Sequence, residues 1–284
     1  MSEAGVGTGA DSRRSSLSRP PQPGLGADPA VVSTSSRRGG RLLQVCVGLL
    51  VLAVLAWQLG TGPFLDGLRA TEPWAVLVAL VVTAGTTWCV AVRWSLVSAR
   101  VGERVPARTA YVAYYRSQLL NATLPGGVVG DVHRGVRHGW RGVVWERGIG
   151  WVVQVALVGA LLLPGAWRWV GLAAVVLGAA AGGAVLLLSA AGVAGHLLVF
   201  LVAAESVGVG LSPLQLVPIG ALVLLGAAIP LSVAGWGPRE GVAGWAFAAF
   251  GSTATVGLTV AVTFGVLALV ATLPGVLVLG SRRG

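Results

Sequence analysis

The sequence contains no lysine; all 20 residues of the Lys-plus-Arg class are arginine. A phosphate-cradling P-loop needs a Lys-Ser/Thr pair after its glycines, and a strand before them. The one glycine stretch that invites the comparison, "GGVVGD" at 126–131, has neither, which dismisses a nucleotide site. Cysteine is almost as scarce. Cys46 and Cys89 both lie inside apolar runs, where they read as packed thiols with no disulfide and no metal site. Three histidines do not make a metal set. Acids number ten, with no paired-acid motif for metal-assisted glycosyl transfer. No Ser or Cys has an evident base. The sequence therefore supplies no catalytic residue, no metal and no cofactor.

What is abundant is apolar surface. Of 284 residues, 55% are hydrophobic and 11% charged, and the mean hydropathy is +0.81. A soluble domain of this length could not hide so much, so the composition predicts a polytopic membrane protein. The net charge of +10 does not point to nucleic acid, because the arginines sit at the ends of apolar runs, as the positive-inside rule expects.

Residues 1–40 are rich in Ser, Gly, Pro and Arg and lack any apolar period. They read as a disordered cytoplasmic tail ahead of one integral membrane domain over 41–282. The first apolar run, 42–59, is long enough to span and has no cleavage-site pattern. Arg13, Arg14, Arg19, Arg37, Arg38 and Arg41 precede or open it, which places the N-terminus in the cytoplasm. An external loop at 61–73 and a returning span at 74–97 follow, with Arg93 snorkelling near the inner end. After a turn carrying Arg100, Arg104 and Arg108, the apolar segment 111–124 is too short to cross and is flanked by basic residues on both sides. We read 109–130 as a re-entrant hairpin entered from the cytoplasm. Further spans are expected at 148–164, 170–190, 196–211, 213–233 and 256–279, with a short helix at 240–250. The predicted fold is all-α: a membrane helix bundle of about 7–8 apolar segments with one or two re-entrant or broken helices.

Two breaks interrupt it, "NATLPGGVVGDVHRG" at 121–135 and "IPLSVAGWGPREG" at 229–241. Broken backbone at membrane depth leaves polar groups that lipid cannot satisfy, so it occurs where protein buries it or water reaches it. Paired Gly/Pro breaks are the best sequence pointer to a transporter site. The bland alternative is a kinked helix plus a loop. The Asn-Ala-Thr at 121–123 spells a glycosylation sequon inside the membrane, where it is not used. Asp131, Glu146, Glu205 and Glu240 lie within or beside apolar stretches, where an ionisable group usually has a partner or a task. Glu146 adjoins Arg147, and Glu240 adjoins Arg239. Glu205 and His196 are assigned to interfacial charge without a specific role. Trp151, Trp236 and Trp245 stand near the breaks, where packing is the default and contact with an acyl chain or sugar the alternative.

At these residues the chain resembles the lysylphosphatidylglycerol synthase transmembrane-region family, also known as the flippase-like domain family. The resemblance runs over about residues 42–282. "YRSQLLNATLPGGVVGDVHRG" has the family's order of apolar helix, Asn, Leu-Pro-Gly, Gly-Asp and Arg. "WERGIGWVVQVAL" has its Glu-Arg before a span, and "IPLSVAGWGPREG" its Ile-Pro, Gly-x-Gly, Arg-Glu pattern. The chain departs from the family in its compact residues 164–212 and shows no aminoacyltransferase domain after the last span. The resemblance thus implies the translocase-like part, associated in the family with moving lysylated phosphatidylglycerol between leaflets, and not lysyl transfer.

Breaks and resemblance together nominate a substrate-binding set: Arg116, Asn121, Pro125, Gly126, Gly127, Gly130, Asp131, Arg134, Glu146, Arg147, Arg239 and Glu240. The expected partner is a membrane lipid with an anionic or phosphate-bearing head group, gripped by Arg and glycine amides. Two alternatives stay open. One is a membrane-embedded transferase or hydrolase using Asp131, His133 or Glu146 as acid or base. The other is a non-catalytic partner of a lipid-modifying enzyme. The expected location is a bacterial-type plasma membrane.

Overall fold

The computed structural model describes residues 61–124, 127–162, 183–229 and 236–277, with the isolated residues Ala53, Trp57, Trp169 and Ala173. The elements among them are all helices: α1 (Gly62–Arg69), α2 (Pro73–Arg100), α3 (Ala107–Thr123), α4 (Val129–His138), α5 (Trp140–Leu162), α6 (Ala184–Val207), α7 (Pro213–Ala227), α8 (Pro238–Ala249), α9 (Ala254–Thr272) and α10 (Pro274–Leu277). Among the described residues, four stretches are long and apolar enough to cross a membrane: Pro73–Arg100, Trp140–Leu162, Ala184–Val207 and Ala254–Leu277. The protein is a multi-pass membrane helix bundle. The tail at 1–40, the first expected span at 42–59 and most of the span expected at 170–190 lie outside the described residues.

Among the described residues, two buried clusters hold the bundle. One packs Phe200 of α6 against Phe247 of α8 and Phe264 of α9, with ring centroids 6.4 and 6.0 Å apart. The first pair is tilted and the second edge-to-face, and aromatic pairs at such distances add to the area they bury. The other cluster joins α2, α3 and α5 around Trp94, Tyr114 and Val143.

Three expectations are corrected. The segment 61–73, read as a loop, carries helix α1. Pro63 opens it, and Thr263 on α9 donates 2.9 Å to the Gly67 carbonyl, so the segment is packed onto the bundle. The boundary expected between spans at 190 and 196 falls inside one continuous helix, α6. Its glycines are packing residues: a Cβ on Gly192 would stand 2.9 Å from Val90, as where small residues let membrane helices approach closely. The span expected from 148 begins at Trp140, which carries Glu146 and Arg147 inside helix α5.

The α3–α4 hairpin returns to the level where it began. Glu103, in the turn before α3, accepts hydrogen bonds from the backbone N–H of Arg141 (3.3 Å) and Gly142 (2.7 Å) in the first turn of α5. A carboxylate there complements the positive end of the helix. His138, the last residue of α4, lies edge-on to Trp94 of α2, with ring centroids 5.6 Å apart.

Candidate functional site

The hairpin is closed by Asn121, in the last turn of α3. Its Oδ1 accepts from the Gly130 N–H at 2.7 Å and its Nδ2 donates to Asp131 at 3.2 Å. Gly130 has no side chain because none fits: a Cβ would collide with the Ser117 carbonyl. Gly127 adopts φ +61°, the left-handed region that favours glycine. This close approach puts Asp131 in the first turn of α4, where Ser117 donates to it at 3.2 Å.

Asp131 opens an ion network across α2, α4 and α5 that is buried except at Arg147. Arg134 donates to Asp131 at 2.9 Å and to Glu146 at 3.1 Å. Arg147 donates to the other oxygen of Asp131, and Arg93 donates to Glu146 and to Ser189. Tyr114 donates to Glu146 at 3.0 Å. The Arg134 guanidinium lies between Trp94 and Tyr114, 4.5 and 4.2 Å from their ring centroids. That stacking meets Nε and Nη1, which have no hydrogen-bond partner among the described residues.

The second break builds a smaller device. Gly237 sits at φ +117°, Pro238 takes the first helical position, and Glu240 folds back to accept from the Gly237 N–H at 2.6 Å. The other Glu240 oxygen holds Arg239 through Nε (2.8 Å) and Nη2. Arg239 also lies over Trp236, 5.1 Å from its ring centroid.

Both devices face one cavity of about 600 Å³. Asn121, Gly127, Asp131 and Arg147 line it from the first break and α5, and Arg239 from the second. Gln118, Gln154, Trp151 and Trp236 add to the wall, with Val90, Val199 and Phe264 between them. The volume falls within the ~300–1,000 Å³ usual for small-molecule sites.

Residues 41–189 match the family described as Lysylphosphatidylglycerol synthase TM region, more than half of the chain. The chain belongs to this family. No curated protein matches it at a significant level. The match to the lysylphosphatidylglycerol synthase TM region takes in the whole five-residue ion network. The Arg239–Glu240 device lies beyond it and joins only through the fold.

The nominated residues therefore divide. Asn121, Gly127, Asp131, Arg147 and Arg239 reach the cavity. Gly130, Arg134, Glu146 and Glu240 are buried behind it: Arg134 and Glu146 have fully buried side chains, so Arg134 is a counter-ion and not a surface for an incoming phosphate. Arg116 is buried on α3 outside the cavity wall, and Pro125 and Gly126 lie outside the described residues. Glu205 and Trp245 are exposed.

Sequence reasoning missed Arg93, which it placed at the interface. Arg93 is 6% exposed and ties α2 to Glu146. Its position two turns before Arg100 was the available signal, since a snorkelling side chain needs only the last turn. It also assigned His196 to interfacial charge without a specific role, whereas His196 lines the cavity with Nδ1 2.7 Å from the Gly192 carbonyl. Nothing in the local sequence marks that histidine.

Proposed function

We propose that the protein moves a phospholipid, or the head group of a lipid-linked molecule, between the leaflets of a bacterial-type plasma membrane. The observation that carries this reading is the cavity inside an apolar bundle, with Arg147 presented from α5 beside the first break and Arg239 from the second. A head group can shed its water there while its tails remain in lipid, which lowers the cost of crossing. Preorganised guanidinium groups suit a phosphate. Membership of a family named for phosphatidylglycerol chemistry supports a lipid as the cargo. On this proposal residues 41–282 form one domain, the α2–α3 turn with Arg100, Arg104 and Arg108 faces the cytoplasm, and the Arg-rich residues 1–40 lie on the same side.

Acid–base chemistry on a lipid has less support. Asp131 and Glu146 are each held by two arginines, and His133 is exposed away from the cavity wall. A carboxylate so engaged is a poor proton carrier. The pure protein in vesicles with an acyl-labelled phospholipid tests both readings, with leaflet exchange and product formation measured together. Protein-dependent exchange with unchanged lipid is the expected result; a chemically altered lipid would favour the enzyme, and neither would leave the role of a partner to a lipid-modifying enzyme.

A further inference from the structure

The charges around the cavity do not cancel. Among the described residues, Arg93, Arg134 and Arg147 share two carboxylates, Asp131 and Glu146, while Arg239 has Glu240. The site holds one guanidinium more than it holds carboxylates. Among the described residues, Asp131 is the one acid on the cavity wall, against Arg93, Arg147 and Arg239. In an apolar surround a surplus charge is costly unless something balances it. Arg147 is placed to receive that balance: its side chain is 44% exposed and it reaches Asp131 through Nη2, which leaves other N–H groups toward the cavity.

The rest of the wall is neutral and suits hydroxyls. The Gly192 carbonyl can only accept, so Nδ1 of His196 carries a hydrogen, and in that neutral tautomer Nε2 is the acceptor. Gln118 accepts from Thr87 at its amide oxygen (3.1 Å), which leaves its NH2 to donate. Gln154 adds a second amide. Among the described residues, the wall has no second carboxylate to receive an amine.

We infer that the cavity selects a lipid whose head group is a phosphodiester of net charge −1 bearing neutral hydroxyls, and turns away head groups that add an ammonium. This rests on the translocation reading and narrows its cargo. The phosphodiester neutralises the surplus at Arg147 and Arg239, and the hydroxyls take His196, Gln118 and Gln154. A lysylated head group brings two ammonium groups into a wall that is already positive.

The test uses the full chain, purified and placed in phosphatidylcholine vesicles with trace acyl-labelled probes: phosphatidylglycerol, phosphatidylcholine and lysylphosphatidylglycerol. Leaflet exchange is read by chemical quenching of the outer label. Protein-dependent exchange of phosphatidylglycerol is expected to exceed that of the other two by about tenfold or more. Gln154→Glu, which adds the missing carboxylate, is expected to erase that preference, and Gln154→Asn to keep it. If Gln154→Glu does not elute as folded protein, Gln118→Glu carries the same test. Equal rates for the three probes, or faster lysylphosphatidylglycerol, would overturn the charge inference and leave translocation standing. Absence of exchange for every probe would overturn translocation and this inference with it.

Discussion

Glu146 is the residue whose loss the fold should feel most. Its side chain is fully buried, one oxygen takes Arg93 and Tyr114, and the other takes Arg134. Glu146→Gln keeps the shape and removes the charge, so three arginines would face Asp131 alone. Breaking a buried pair in this way costs on the order of 3–5 kcal/mol, against roughly 1.5–3 kcal/mol for one hydrogen bond to a charged group. Glu146→Gln should therefore lower the unfolding midpoint in detergent clearly more than Tyr114→Phe, and the reverse order would mean that the network does not hold the helices. A gentler effect is expected at His138. Burial, then the charges of Arg137 and its neighbours, hold its pKa below the ordinary 6.5. The unfolded chain then binds the proton more readily than the folded one, so this contribution to stability is present above about pH 6.5 and is lost as pH falls below it. His138→Gln should flatten the acid limb of a stability–pH profile; an unchanged limb would assign it to other groups. At this scale the sequence was informative where charge stood beside a break, as at Asp131 and Arg239. It was silent where the partner came from another helix, as with Arg93 and Glu146, which are 53 residues apart.

Among the elements, the α3–α4 hairpin depends on two small features, the missing side chain of Gly130 and the two-armed Asn121. Gly130→Ala would drive a methyl group into the Ser117 carbonyl and push Asp131 away from Ser117 and Asn121. The expected result is lower thermal stability than Gly148→Ala, since a Cβ on Gly148 meets open space. Equal midpoints would show that the hairpin tolerates a looser fit. Because Glu103 ties the turn before α3 to the start of α5, both ends of the hairpin should lie on one face of the membrane. In a chain whose Cys46 and Cys89 are replaced, single cysteines at Arg104 and Arg141 should label from the same side; labelling from opposite sides would mean that the hairpin crosses. The hairpin was legible in the sequence because its length and flanking arginines conflicted with a full crossing. Helix α1 was not, since Gly62, Pro63 and Asp66 resemble a turn and the close approach of Gly67 to Val262 on α9 is a tertiary contact. The continuity of α6 was hidden for a related reason: the run from Ala190 to Gly195 has the composition of a break, and its glycines serve contact with α2.

For the molecule as a whole, the question is whether the two breaks act on one substrate. They are about a hundred residues apart in the chain, and α7, α8 and α9 bring them to the same cavity wall. The polar character of each break could be read from sequence; that they converge could not, because convergence depends on how helices cross. Arg239 is held at a fixed angle by two nitrogens on one Glu240 oxygen, and it lies over Trp236. Lysine keeps the charge but neither the fork nor the stacking. Arg239→Lys should leave the unfolding midpoint close to wild type and slow leaflet exchange by about tenfold, equivalent to ~1.4 kcal/mol. Glu240→Ala should instead lower the midpoint, since it strands a buried guanidinium and uncaps α8. The decisive comparison is a double-mutant cycle on Arg147→Gln and Arg239→Gln, read as exchange rates. Separate sites would give additive losses within ~0.3–0.5 kcal/mol, whereas two arginines on one head group would couple beyond that range. Additivity would separate the two breaks functionally and leave their shared cavity as a feature of packing alone.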